Sequence, residues 1–164
     1  MKASLRLSFE KLSASDRALS VSMSMDESIM KFITGKALNQ REAQERFEYQ
    51  LKTNAQHSSL GFFKAIDKTS TKVIGYLKIV KEAKDIMEIG YAVLPECRGK
   101  GFAKEMTVAM MNHTYSGFPE VKKLLGTVDQ RNIASAHILE SYGFSIEKEE
   151  LSGDRTILHF TKDI

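Results

Sequence analysis

Residues Arg98-Gly99-Lys100-Gly101-Phe102-Ala103 combine the types needed to hold an anion through main-chain groups. Two glycines let the backbone fold tightly and bring its N–H groups close to a ligand. An apolar stretch runs into this segment and an amphipathic one runs out. The N–H groups would then project from the positive end of a helix, where phosphate oxygens bind well. Arg98, Lys100 and Lys104 add local positive charge. Two other phosphate-binding patterns fail on spacing. A dinucleotide fingerprint needs glycine or alanine at the position of Lys104, and a Gly-x-x-x-x-Gly-Lys loop needs glycine at the position of Leu94.

Other residues with chemical potential flank this segment. Upstream is Met87-Glu88-Ile89-Gly90-Tyr91; downstream are Asn132-Ile133-Ala134-Ser135 and Tyr142-Gly143-Phe144. If the upstream stretch is a strand, a period of two puts Met87, Ile89, Tyr91 and Val93 on a core face. Glu88, Gly90 and Ala92 share the opposite face, where the two small residues leave space. Ser135 lies one helical turn before Leu139. His57, His113, His137 and His159 have no metal-ligand spacing, and no metal is expected. The single cysteine, Cys97, excludes an internal disulfide.

These residues need a frame. Residues 4–11 alternate like a strand. Ser13 with Asp16 reads as a capping box, Asp26 to Ile33 as a short helical piece closed by Gly35, and Asn39 with Glu42 as a cap. Behind that cap Ala43, Phe47 and Leu51 form an apolar stripe on a charged helix. Leu60 to Ile66 and Lys72 to Val80 read as a hairpin around a polar turn, and Asp85 to Leu94 as a third strand ended by Pro95. A helix from about Gly101 to Tyr115 carries Phe102, Met106, Ala109, Met110 and His113 on one face. Lys123 to Val128 reads as a buried strand and Asn132 to Ser141 as a brief helix. Phe144 to Leu151 and Thr156 to Thr161 form a final hairpin. The layout is α/β, with a mixed, mostly antiparallel sheet of about seven strands and four helices.

Bulk properties narrow the class. The 164 residues suit one domain spanning 1–164, with ordinary composition at 42% hydrophobic and 27% charged. A net charge of +3 with scattered lysines argues against a nucleic-acid partner. The first residues lack a signal-peptide core and no apolar run reaches a membrane span, so the expectation is a cytoplasmic protein without a membrane partner.

In this order, the elements resemble the GNAT superfamily of acyl-CoA-dependent N-acetyltransferases. The glycine segment fits its Arg/Gln-x-x-Gly-x-Gly/Ala signature at Arg98, Gly101 and Ala103. The resemblance implies that acetyl-CoA is held through the backbone of Val93, Leu94, Arg98, Gly99, Lys100, Gly101, Phe102 and Ala103. The cofactor would enter where the strands Asp85–Leu94 and Lys123–Val128 splay apart, with Asn132 and Ser135 on its pantetheine arm. Glu88 would accept the proton of the attacking amine. Many relatives carry a tyrosine at the Leu139 position to protonate the departing thiolate; here Ser135 is the expected substitute. Tyr142 is expected to pack and Cys97 to be a bystander, because the chemistry is direct attack of amine on thioester.

The need for a base depends on the acceptor. A lysine-like amine of pKa about 10.4 is neutral in about one molecule in 2,500 at pH 7, a cost near 4.6 kcal/mol, whereas a peptide α-amine of pKa about 7.7–8.0 costs nearer 1 kcal/mol. That difference leans towards N-terminal acetylation. Leu5-Arg6-Leu7, the helical region Ser13–Asn54 and the Ser135–Leu139 pattern resemble the branch acetylating ribosomal-protein N-terminal alanine or serine. Two alternatives stay open: a small-amine acceptor (polyamine, aminoglycoside or amino acid), or a non-catalytic acyl-CoA sensor. Either a monomer or a homodimer is compatible with the sequence.

Overall fold

A computed structural model describes residues 1–164. Strands β1 (Leu7–Lys11), β2 (Gly61–Asp67), β3 (Val73–Ala83) and β4 (Ile86–Val93) pair antiparallel in succession. Strand β5 (Lys123–Asp129) runs parallel to β4, and β7 (Arg155–Asp163) and β6 (Ser145–Ser152) complete the sheet antiparallel. The order is β1-β2-β3-β4-β5-β7-β6, a seven-stranded mixed sheet as expected.

Five helices accompany it: α1 (Arg17–Ser24), α2 (Glu27–Met30), α3 (Gln40–Gln56), α4 (Phe102–Gly117) and α5 (Ile133–Ser141). The short α2 is the helical piece expected at Asp26 to Ile33. It is shorter than Asp26 to Ile33 because the chain curls around one carbonyl: the N–H groups of Thr34 and Gly35 both donate to Met30 O, at 2.9 and 3.2 Å. The Asn39 cap forms as read, its side chain accepting from Glu42 N–H at 3.0 Å while Glu42 accepts from Asn39 N–H at 2.9 Å. Such a cap contributes about 1 kcal/mol. Strand β3 runs past Val80 to Ala83 and shortens the turn to Lys84-Asp85. Its last residues, Lys81 to Ala83, are exposed, so charged side chains cost the strand nothing there.

A core of 21 buried residues lies between the sheet and α4, where Phe102, Met106 and Met110 meet Met87 and Ile89. Burying each such side chain stabilises by roughly 1.5–3 kcal/mol. On the other face, Met23 of α1 and Ile29 and Met30 of α2 pack against Tyr76 and Ala92, and Tyr49 of α3 meets Phe62 edge-on at 6.2 Å. Helix α4 is the crossover joining the parallel pair β4 and β5. That pair is short: its register covers only Ile86↔Lys123, Met87↔Leu124 and Glu88↔Leu125.

Candidate active site

Past Glu88 the parallel strands separate, and the edge of β4 from Ile89 to Val93 has no strand neighbour on the β5 side. A cavity of about 630 Å³ occupies that gap. Its walls are β4 from Ile89 to Val93, β5 from Gly126 to Val128, the glycine loop with the first turns of α4, and α5 from Asn132 to Leu139. Ser28, Ile29, Phe32 and Ile33 line another side. Its only charged lining side chains are those of Arg98 and Lys104, and none is acidic.

The glycine loop has the tight backbone that its two glycines allow. Gly99 (φ 74°) and Gly101 (φ 78°) occupy the left-handed region that only glycine adopts cheaply. The first bond into α4 runs from Glu105 N–H to Gly101 O at 3.2 Å. The six N–H groups from Gly99 to Lys104 therefore have no acceptor within the chain. Nothing lies within 4 Å of a Cβ added at Gly99, so the row is approachable there.

Arg6 orients the row, a role its position 94 residues upstream did not reveal. Its Nη1 donates to Lys100 O at 3.0 Å. Across a trans peptide the carbonyl and the following N–H point in opposite directions. Holding Lys100 O on the Arg6 side thus turns the Gly101 N–H away, towards the cavity that Gly101 lines. The guanidinium lies 4.4 Å over the Phe102 ring and donates to Glu105 Oε2 at 2.7 Å. Burial works to raise the Glu105 carboxyl, but hydrogen bonds from Ser4 and from the main chain and side chain of Arg6 more than offset it, so its pKa lies below the ordinary value.

Three of the expected loop contributors make bonds within the chain. Leu94 N–H donates to Ile74 O and Leu94 O accepts from Cys97 N–H, both at 2.9 Å, and the residue does not line the cavity. It closes the β3–β4 ladder. Arg98 lines the cavity, but its guanidinium donates to Val93 O at 3.2 Å and Ser28 O at 3.0 Å, tying α2 to the end of β4. Lys100 turns its ammonium to Glu96 O at 2.9 Å, leaving its main-chain N–H as its contribution.

Glu88 is only 8% exposed and sits behind Gly90 and Thr127, which line the cavity while Glu88 does not. Its Oε1 accepts from the Lys78 ammonium at 2.6 Å and the Thr127 hydroxyl at 3.0 Å. Asn132 caps α5 by accepting Ser135 N–H at 3.3 Å, which leaves its side-chain NH2 to face the cavity without a partner in the chain. The Tyr91 hydroxyl donates to Ser135 Oγ at 3.2 Å. Burial raises the Tyr91 phenol, partly countered by that bond, so it stays protonated. Leu139 packs where Gly126 has no side chain: a Cβ there would lie 2.9 Å from Leu139 Cδ1. Tyr142 packs against the core as expected. His113 Nε2 lies 2.8 Å from Ser59 O beside Phe118, a packed histidine whose pKa burial lowers. No cluster of His, Cys, Asp or Glu side chains could hold a metal ion. No helix is long and apolar enough to cross a membrane.

Residues 6–145 match the profile of the acetyltransferase (GNAT) domain. The chain belongs to the GNAT acetyltransferase family. No curated protein matches this acetyltransferase significantly in sequence. Its fold is shared with an acetyltransferase of the GNAT family from Bacillus anthracis (TM-score 0.81, 17% identity, covering 98% of this chain and 96% of that one). It is shared too with spermidine N-acetyltransferase from Vibrio cholerae, solved with CoA and spermine (0.79, 17%, 96% and 95%). The ribosomal L7/L12 α-N-protein acetyltransferase RimL, solved with coenzyme A, is equally similar (0.80, 14%, 99% and 97%). Acetyltransferases of this family move an acetyl group from acetyl-CoA to an amine, and the cavity of this one lies at the split between the parallel strands.

Proposed function

We propose that this acetyltransferase acts on the α-amine of a protein N-terminus, with acetyl-CoA bound in the β4–β5 gap. The observation that carries the donor half is the row of unpartnered N–H groups from Gly99 to Lys104. A diphosphate offers enough oxygens to satisfy several of them at once, and each charge-assisted bond is worth roughly twice a neutral one. The Asn132 side-chain NH2 and the free edge of β4 from Ile89 to Val93 suit an amide-bearing arm. Acetyl-CoA supplies the acetyl group as an activated thioester.

Around it the chain's own groups divide the proton work. Glu88 takes the proton of the attacking amine, directly or through a water at Thr127, using Oε2, the oxygen that accepts no bond within the chain. The Ser135 hydroxyl, oriented by Tyr91, donates to the departing thiolate. A thiolate of thiol pKa about 8.5 leaves readily enough for this modest donor to suffice in place of the tyrosine that Leu139 replaces.

The acceptor half rests on charge. The cavity has no carboxylate on its walls, and a polyamine needs several. An α-amine needs only one proton acceptor. Of the two acceptors named for the similar folds, spermidine and the L7/L12 α-amine, the second fits these walls better. A screen of N-terminal peptides and small amines with a free-thiol readout tests this reading. Turnover of peptides with free α-amines is expected; thiol release with polyamines alone contradicts it, and acetyl-CoA binding without turnover of any amine identifies a sensor instead.

A further inference from the structure

We propose that Lys78 sets acceptor choice: its ammonium holds the place beside Glu88 that a cationic acceptor would take, so the enzyme rejects polyamines and admits neutral amines. This rests on the reading of Glu88 as proton acceptor. Lys78 stands on β3 directly opposite Gly90 of β4. The missing side chain of Gly90 makes room for the Lys78 stem, which crosses so closely that a Cβ on Gly90 would lie 3.1 Å from Lys78 Cε and 3.4 Å from Cγ. The ammonium thereby reaches Glu88 Oε1 at 2.6 Å.

Two consequences follow from that placement. Glu88 already has a full positive charge against it, so a second cation approaching Oε2 meets a nearly neutral pair and a like charge a few ångströms away. No carboxylate lines the cavity to compensate. A neutral amine pays none of this repulsion, and after attack its proton still has Oε2 to go to. Acceptors with a low amine pKa, α-amines above all, therefore gain relative to spermidine.

The test compares kcat/KM for spermidine and for a free N-terminal peptide in the wild type and in K78M, K78Q and K78R, by free-thiol release. Thermal stabilisation by acetyl-CoA verifies that each variant is folded. K78Q keeps a hydrogen-bond donor for Glu88 and so guards against loss of the fold in K78M. The ratio of spermidine to peptide is expected to rise about tenfold or more in K78M and K78Q, and to stay near the wild-type value in K78R. An unchanged ratio in a neutral variant that still acetylates peptide overturns the role of Lys78, as does a wild type that prefers spermidine. Absence of turnover with every amine overturns both this inference and the acyl-transfer reading beneath it.

Discussion

The guanidinium of Arg6 and the main-chain carbonyl of Lys100 lie 3.0 Å apart, so the residue just before β1 holds the glycine loop from behind. Removing the guanidinium frees the Lys100–Gly101 peptide to rotate and turn its N–H out of the row. R6A is expected to weaken acetyl-CoA binding about tenfold, about 1.4 kcal/mol, within the range for a hydrogen bond to a charged group. Isothermal titration against the wild type measures it. E105Q, which loosens the same guanidinium (2.7 Å), should act in the same direction with a smaller effect.

Gly101 joins two requirements in one residue. Its φ of 78° strains any side chain, and its N–H belongs to the unpartnered row. G101E adds a negative charge beside the expected diphosphate. The thermal shift produced by acetyl-CoA should disappear in G101E, while a shift equal to the wild type's would remove the loop from the binding site.

Glu88 is the proposed proton acceptor and lies outside the lining of the cavity. E88Q should keep acetyl-CoA affinity by titration and lose turnover. General-base catalysis contributes about 10²–10⁴-fold, and the lower end is expected for an α-amine because much of it is already neutral near pH 8. Unchanged kcat in E88Q would exclude this role.

The hydroxyl pair Tyr91–Ser135 predicts a graded loss. S135A removes the proposed proton donor and Y91F only its partner, so kcat should fall further in S135A than in Y91F, with KM for acetyl-CoA nearly unchanged. Equal kcat values in Y91F and wild type would separate Tyr91 from the chemistry.

Acid stability should depend on Asp129, whose side chain is only 1% exposed. The Arg131 guanidinium (2.9 and 2.8 Å) holds its carboxyl below the ordinary value; burial opposes this, and the Arg131 main-chain N–H and Arg155 assist. A pKa lowered on folding adds stability that is present above the unfolded value, about 3.9, and is lost as pH falls through the lower folded value. The melting temperature should therefore drop more steeply below about pH 4 in the wild type than in D129N. At pH 7 D129N should be less stable by about 3 kcal/mol, because breaking a buried pair leaves Arg155 without its counter-charge.

Periodicity and caps made most of the fold legible. The Asn39–Glu42 cap, the Ala43/Phe47 stripe and the inward set Met87/Ile89 are local patterns that tertiary packing had no reason to override. Boundaries failed where solvated strand ends carry charge, as at Lys81 to Ala83. The glycine loop was legible because positive φ demands glycine. Arg98 reads as a phosphate ligand by its charge; that its guanidinium bridges Val93 and Ser28, and that Leu94 spends its main-chain groups on the ladder, depends on tertiary contacts the sequence does not display. Arg6 and Lys78 could not be read at all, since their contacts with Lys100 and Glu88 arise only when distant parts of the chain are brought together.

The most direct measurement of the central claim is a titration of uniformly ¹⁵N-labelled protein with coenzyme A, following the main-chain amides from Gly99 to Lys104. Engagement by the diphosphate predicts large shifts and slowed hydrogen exchange across that row, saturating together with the rest of the binding response. Amides that stay unperturbed while the protein saturates elsewhere would contradict it.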